Sequence, residues 1–195
     1  MSSFFLVVTG VLKRVFDLST ACLLLTLLSP IMLIVALLIR LTSQGPALFV
    51  QARVGRFEKT FTCLKFRTMV FGVPNVSSHE VGSNWITPLG RVLRVTKVDE
   101  LPQLINVVRG EMSLVGPRPC LPSQVEVIEE RRLVDVFAIR PGITGIAQLS
   151  GIDMSDPGAL AKADRVYMDK QSFFGDLKIL VKTAFGLGSG DAAKA

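Results

Sequence analysis

Leu18-Ser19-Thr20-Ala21-Cys22-Leu23-Leu24-Leu25-Thr26-Leu27-Leu28-Ser29-Pro30-Ile31-Met32-Leu33-Ile34-Val35-Ala36-Leu37-Leu38-Ile39 carries no charged side chain over 22 consecutive residues. As an α-helix this run reaches roughly 33 Å, enough to cross a hydrocarbon core. A secretory signal peptide fits poorly, because the run exceeds an h-region and no small-x-small cleavage site follows Ile39. Ser29-Pro30 stands in the middle. Pro30 has no backbone N–H and crowds the preceding turn, so a bend is expected there, and a nearby serine hydroxyl can serve the carbonyl that it frees. Two architectures follow: a kinked single span, or a helix–break–helix that enters and leaves by one face. Lys13 and Arg14 precede the run, and Arg40, Arg53 and Arg56 follow it. These flanks give no asymmetry that would orient a span, whereas a hairpin with both ends cytoplasmic accommodates both.

Outward from this segment, the 195-residue chain has room for one further domain. It is 49% hydrophobic, with a mean hydropathy of +0.48. A net charge of +6 and a pI near 9.5 favour anionic partners, such as a lipid surface or a phosphorylated substrate. Nucleic acid is disfavoured: there is one Trp and one Tyr, no basic stretch interleaved with aromatics and no zinc spacing. Cys22, Cys63 and Cys120 are widely separated and form no C-x-x-C, which fits a reduced compartment without disulfides or a metal knuckle. His79 stands beside Glu80 in a polar stretch and reads as a solvated loop residue.

Three regions are expected: a membrane-associated segment over 1–40, a cytoplasmic domain over 41–185 and a frayed tail over 186–195. In the domain, Ala47–Gln51 and Thr60–Phe66 read as short strands joined through the turn Val54-Gly55-Arg56-Phe57. Lys65 and Arg67 would then face one side by alternation. Residues 71–90 read as a long irregular loop, and Val125 to Phe137 as a charged amphipathic helix. Asp156-Pro157 would open a helix carrying Ala159 to about Lys170. Phe173–Phe185 suits a helix lying at a membrane interface. The fold class is α+β, mostly helical, with a small β-hairpin and interfacial amphipathic helices.

The chemistry-bearing stretch is Lys97-Val98-Asp99-Glu100-Leu101-Pro102-Gln103-Leu104, two adjacent carboxylates among Arg91, Arg94, Lys97, Arg109 and Arg118. Asp99 is a candidate N-cap for a helix to about Val108, with Pro102 in its first turn and Leu101, Leu104, Ile105 and Val108 as the buried stripe. The helix terminus would favour the ionised carboxylate and could receive phosphate oxygens. The plainer reading makes Asp99 a cap and Glu100 a first-turn acid. Gly116-Pro117-Arg118-Pro119 fixes Arg118 between two prolines, either as a surface turn or as a bidentate phosphate contact. Arg140-Pro141-Gly142-Ile143-Thr144-Gly145 is a second stiff turn.

Taken in series, Arg14-Val15-Phe16-Asp17, Ser29-Pro30, Lys65-Phe66-Arg67-Thr68-Met69, Asp99 to Leu104, Gly116 to Pro119 and Arg140 to Gly145 closely resemble the monotopic phosphoglycosyl transferases, or bacterial sugar transferases. The resemblance covers roughly residues 11–185 and is to the minimal form of the family. It implies transfer of a sugar phosphate from a UDP-sugar to polyprenol phosphate (undecaprenyl phosphate), with release of UMP and a requirement for Mg²⁺. It implies Asp99 as nucleophile, Glu100 as the residue that helps the second attack, by polyprenol phosphate, and both as the metal ligands. Lys65, Arg67, Arg94, Pro117, Arg118, Pro119 and Arg140 are the implied substrate contacts. It also implies that Ser29-Pro30 breaks a re-entrant helix, which keeps the active site on the cytoplasmic face of the bacterial inner membrane. Departures from the family's usual blocks are Lys97-Val98 before the acidic pair, Glu111 in place of the frequent Asp, and Ser150 to Ser155. Two other readings stay open on residues alone: a non-catalytic adaptor on anionic lipid, and a single-span protein with an extracytoplasmic domain.

Overall fold

The computed structural model describes residues 3–72 and 85–185. Most of the expected 71–90 loop, His79 and the 186–195 tail lie outside the described residues, as do the side chains of Phe4-Phe5-Leu6-Val7-Val8. Helix α1, Ser3–Thr42, is one element with Pro30 inside it. The expected helix–break–helix is therefore corrected to a helix that carries its proline without ending. The reason is local. Pro30 cannot donate to the Thr26 carbonyl one turn back, and the Ser29 hydroxyl donates to that carbonyl instead, at 2.9 Å.

One stripe of α1 faces the rest of the protein: Asp17, Ala21, Val35 and Ile39 are buried, and Leu24, Leu25, Leu28, Met32 and Ala36 are half-buried between them. Leu23, Leu27, Ile31, Leu33, Ile34, Leu37 and Leu38 are exposed on the other side. By length and composition Gly10–Thr42 could cross a membrane, and so little of it is buried that it is not a core helix. Its two ends dock on the same domain. Near the start, Lys13 Nζ donates to Asp176 at 2.6 Å, Arg14 to the Val107 carbonyl at 2.8 Å, and the Ser113 hydroxyl to Asp17 at 2.7 Å. Near the end, Val35 and Ile39 pack with Phe66 and Leu93.

Strand β1, Leu48–Val54, pairs antiparallel with β2, Thr60–Phe66, with Gln51 opposite Cys63 and Phe49 opposite Lys65. The hairpin turn lies over 55–59, later than expected, so β1 runs on through Val54. Helix α2, Pro88–Val95, starts inside the expected loop: Thr87 caps Gly90 N–H at 2.9 Å and Pro88 occupies the first turn. A Cβ on Gly90 would fall 2.0 Å from the Thr68 carbonyl oxygen, so only glycine lets α2 lie this close to the strand end.

Helix α3, Gln103–Arg109, follows a 3₁₀ turn at Val98–Glu100 and ends at Gly110 with φ 82°. Its buried face is Leu104, Asn106 and Val107, while Val108, expected inside, is exposed. Asn106 turns the helix this way. Its side chain accepts from Leu64 N–H at 3.0 Å and donates to the Thr62 carbonyl at 2.7 Å, completing the edge of β2. Glu111 accepts from the same amide at 2.6 Å, which gives that departure from the family pattern a role.

Strand β3, Ser113–Val115, pairs in parallel with β4, Gly142–Thr144, where only a stiff turn was expected. The two proline-glycine stretches meet backbone to backbone: a Cβ on Gly142 would lie 2.0 Å from Gly116 N. Helix α4, Val125–Leu133, is shorter than expected, because Asp135 takes a left-handed conformation (φ 57°) and a 3₁₀ turn follows at Val136–Ala138. A short α5, Ile146–Leu149, leads to α6, Pro157–Asp169, opened by Asp156 capping Ala159 N–H at 2.9 Å. Helix α7, Phe173–Ala184, buries Asp176 and Ile179 and exposes Phe173, Phe174, Leu177 and Val181. Among the described residues the fold is mostly helical, with two small two-stranded sheets.

Candidate active site

The acidic pair sits in the 3₁₀ turn ahead of α3, preceded by Lys97 in the left-handed region (φ 57°, ψ 15°). Asp99 is not an N-cap: neither the turn nor α3 receives a side-chain capping bond. This removes the plain reading of the residue. The residue is 9% exposed, and no hydrogen bond among the described residues holds its carboxylate. Burial pushes it up to about pH 6, against the pull of Lys65, with Glu100 adding to the rise and Arg94 and Arg118 opposing it.

Glu100 has a different setting. Lys65 Nζ donates to its Oε1 at 2.8 Å, and Arg118 Nη1 lies 3.5 Å from the same oxygen. The two neighbouring carboxylates thus differ in their partners: Lys65 and Arg118 meet Glu100, whereas the buried Asp99 carboxylate has no hydrogen bond among the described residues. Such a division is how adjacent acids take separate roles.

Each cation arrives on its own element. Lys65 comes from β2, on the same face of the hairpin as Gln51 and Cys63. Arg94 comes from α2, where its Nε donates to the Thr68 hydroxyl at 3.0 Å. Arg118 is carried by the Pro117–Pro119 stretch, whose successive carbonyls are all taken. Pro117 accepts from Gly142 N–H at 2.8 Å and Arg118 from Arg131 Nη1 at 2.8 Å. Pro119 accepts from Arg53 Nη1 at 2.9 Å and Cys120 from Val54 N–H at 2.9 Å. Prolines supply no amide donors, so this stretch is fixed through its oxygens.

Two expected site residues are not brought here. The Arg67 side chain is buried and donates to the carbonyls of Pro46 (2.8 Å), Gln44, Ser43 (3.2 Å) and Gly45 (3.4 Å), closing the chain just after α1. Lys65 and Arg67 therefore part rather than face one side, because β2 ends at Phe66 and alternation ends with it. Arg140 lies at the far end of α3, where its Nε donates to the Gly110 carbonyl at 2.8 Å, beside Arg14 on the Val107 carbonyl.

The expectations did not include Gln51, Arg53, Asn106 or Arg131. A signal for Arg131 exists: it falls four residues after Val127, on the buried face of α4. Cys63 and Cys120 are poor nucleophiles, since burial pushes both thiols up.

No group of three or more His, Cys, Asp or Glu side chains gathers among the described residues. Asp99 and Glu100 are the adjacent carboxylates in the site that could hold a metal. That set suits a hard cation such as Mg²⁺, which uses one or two carboxylates and fills its remaining positions with water and substrate phosphates. The Asp99 carboxylate, buried and without a hydrogen bond among the described residues, is the observation that fits such an ion.

The profile described as bacterial sugar transferase matches residues 8–189. The chain belongs to that family. This bacterial sugar transferase, a phosphoglycosyl transferase enzyme, is similar to the UDP-glucose:undecaprenyl-phosphate glucose-1-phosphate transferase of Caulobacter vibrioides, 40% identical over 190 residues, with 93% of this chain and 71% of that protein covered. It is also similar to an uncharacterized sugar transferase, EpsL, of Bacillus subtilis, 40% identical over 173 residues, covering 89% and 85%. The undecaprenyl-phosphate galactose phosphotransferase of Salmonella typhimurium is 36% identical over 192 residues, covering 89% of the transferase but 40% of that longer protein.

Proposed function

We propose that the transferase moves a sugar 1-phosphate from a UDP-sugar to polyprenol phosphate, such as undecaprenyl phosphate, and releases UMP. The observation that carries this reading is the division within the acidic pair: Glu100 is bound by Lys65 and Arg118, while Asp99 is buried and uncapped. An Asp99 carboxylate oxygen attacks the phosphorus that bears the sugar. The bond from that phosphorus to the bridging oxygen breaks, and UMP leaves with its electron pair. An oxygen of polyprenol phosphate then attacks the phosphosugar–aspartyl intermediate, giving the polyprenyl diphosphate sugar and restoring the carboxylate. Covalent catalysis splits one displacement into two. Lys65 and Arg118 place cationic donors where phosphate charge collects, with Arg94 close behind. Asp99 and Glu100 would hold Mg²⁺, which supplies charge neutralisation on the diphosphate.

The lipid acceptor puts the site at a membrane surface, and the proposed topology is monotopic, on the cytoplasmic face of the inner membrane. The support is that Arg14 before the apolar run and the Ser43–Pro46 carbonyls after it both bind the same domain. A helix crossing the bilayer would place these flanks on opposite sides.

Purified transferase given Mg²⁺, undecaprenyl phosphate and a panel of UDP-sugars should release UMP with at least one donor. Intact mass of enzyme held without lipid acceptor should show the phosphosugar adduct, and persistent absence of the adduct with an active donor would favour direct displacement. For topology, Gly10→Cys and Leu41→Cys should both be protected from an impermeant maleimide applied to spheroplasts. Labelling of one but not the other would establish a span.

A further inference from the structure

Arg131 is among the most deeply buried side chains in the protein, and its guanidinium is divided between two tasks. Nε and Nη2 donate to one oxygen of Asp164 on α6, at 2.9 and 2.6 Å. Nη1 leaves the pair and donates to the Arg118 carbonyl at 2.8 Å. A buried ion pair gives little stability over an apolar pair of similar volume, so stability alone does not account for an arginine here. The third bond points to another task. Arg118 lies between two prolines, neither of which can anchor the stretch through an amide, and its own carbonyl is the oxygen nearest in sequence to the working guanidinium.

We propose that Arg131 is a positioning residue for the transferase reaction: its Nη1 fixes the Arg118 carbonyl, and thereby the place where the Arg118 guanidinium meets the substrate diphosphate. This rests on the reading of Arg118 as a phosphate contact given under the proposed function. Arg131 touches no reacting atom. The Asp164 carboxylate holds its fork in orientation, and α4 and α6 together act as the bracket behind the Pro117–Pro119 stretch. Arg53, which holds the next carbonyl, comes from the site face of β1, whereas Arg131 acts from behind.

Two variants of the full chain in detergent separate positioning from stability. Arg131→Met with Asp164→Leu replaces the pair by apolar side chains and leaves the Arg118 carbonyl without its donor. Asp164→Asn keeps an acceptor for Arg131 and the bond to Arg118, but removes the ion pair. The double variant should keep a thermal midpoint near wild type and lose about 10- to 100-fold in kcat/KM for the UDP-sugar, as expected for a misplacement of the order of 1 Å. Its crystal structure should show the Arg118 guanidinium moved from its 3.5 Å approach to Glu100. Asp164→Asn should melt earlier with kcat/KM within about twofold of wild type. A double variant with wild-type kcat/KM, or with Arg118 still in place in its crystal structure, overturns the proposal. So does an Asp164→Asn enzyme that loses as much kcat/KM as the double variant. Should wild type release no UMP from any donor, the transfer reading fails, and the position of Arg118 in the two crystal structures still decides what Arg131 does.

Discussion

Arg118 belongs to two acid–base clusters at once, through its side chain to Glu100 and through its carbonyl to Arg131. The two clusters are built in opposite ways. In the Arg131–Asp164 pair the buried charges meet each other directly, and the remaining donor goes to a backbone oxygen. In the Asp99–Glu100 pair one acid is met by cations, and the other is buried with no hydrogen bond among the described residues. Buried charge that is fully answered holds structure in place. A buried acid without hydrogen-bond donors raises the energy of the resting state, and it persists where a substrate or ion takes their place.

The largest expected effect follows from removing the buried acid that no hydrogen bond holds among the described residues. Asp99→Asn should reduce UMP release on the order of 10³-fold or more, as for the loss of a nucleophile. The same variant should be more stable at neutral pH, by about 1–3 kcal/mol in denaturant unfolding, because it no longer ionises a buried acid. Near-full turnover, or a loss of stability, would remove the contrast between the clusters. The pH dependence has a definite sign. With Asp99 pushed up to about 6 from 3.8, the folded chain holds a proton that the unfolded chain releases, so this residue's contribution to stability falls as pH rises between those values. Turnover should rise with pH through about 6 as the nucleophile ionises. A pH–rate profile flat from 5 to 7, roughly the span of that ionisation, would count against Asp99 acting as the attacking anion.

Next in size is Arg118→Ala, which keeps the carbonyl bonded to Arg131 and removes only the guanidinium. It should lower kcat/KM by about 10²-fold, comparable to the loss of one charge-stabilising donor, with little change in thermal midpoint. An equal loss in stability and activity would place Arg118 with the structural cations.

How much of this was legible in the sequence depends on what fixed each residue. The acidic pair, Lys65 and Arg118 could be found because their blocks resemble a known family in order and spacing. The β-hairpin and the helix after Asp156-Pro157 could be found from alternation and capping signals that are local. Three-residue strands such as β3 and β4 have no room for alternation, and their pairing is set by glycine contacts distant in sequence. Arg131 and Arg132 are neighbours of the same type, yet Arg131 pairs inside with Asp164 while Arg132 meets Glu58 at the surface. Only the turn of α4 against α6 separates them. Arg67 and Arg140 resembled phosphate contacts in sequence, whereas in the fold their guanidinium groups complete the ends of α1 and α3.

Arg67 tests that last point. With several carbonyls left behind, Arg67→Met should destabilise the chain by roughly 2–4 kcal/mol in denaturant unfolding. Kinetics of the folded fraction should stay near wild type. A large rise in KM for the UDP-sugar without loss of stability would return Arg67 to the substrate.

The smallest expected effect is the most specific, and it concerns Ser29 and Pro30. Proline withholds an N–H from the Thr26 carbonyl, and the Ser29 hydroxyl supplies the bond at 2.9 Å. Ser29→Ala alone should cost about 1 kcal/mol in detergent unfolding, the worth of one hydrogen bond, and more if lipid surrounds the site. In a Pro30→Ala background the backbone N–H returns and takes the same carbonyl, so Ser29→Ala should then cost close to nothing. The two substitutions are therefore expected to be non-additive by most of the single effect, as for residues sharing one partner. Equal costs in both backgrounds would mean that the hydroxyl serves something other than the carbonyl that Pro30 frees. In that case the unbroken course of α1 would need another cause.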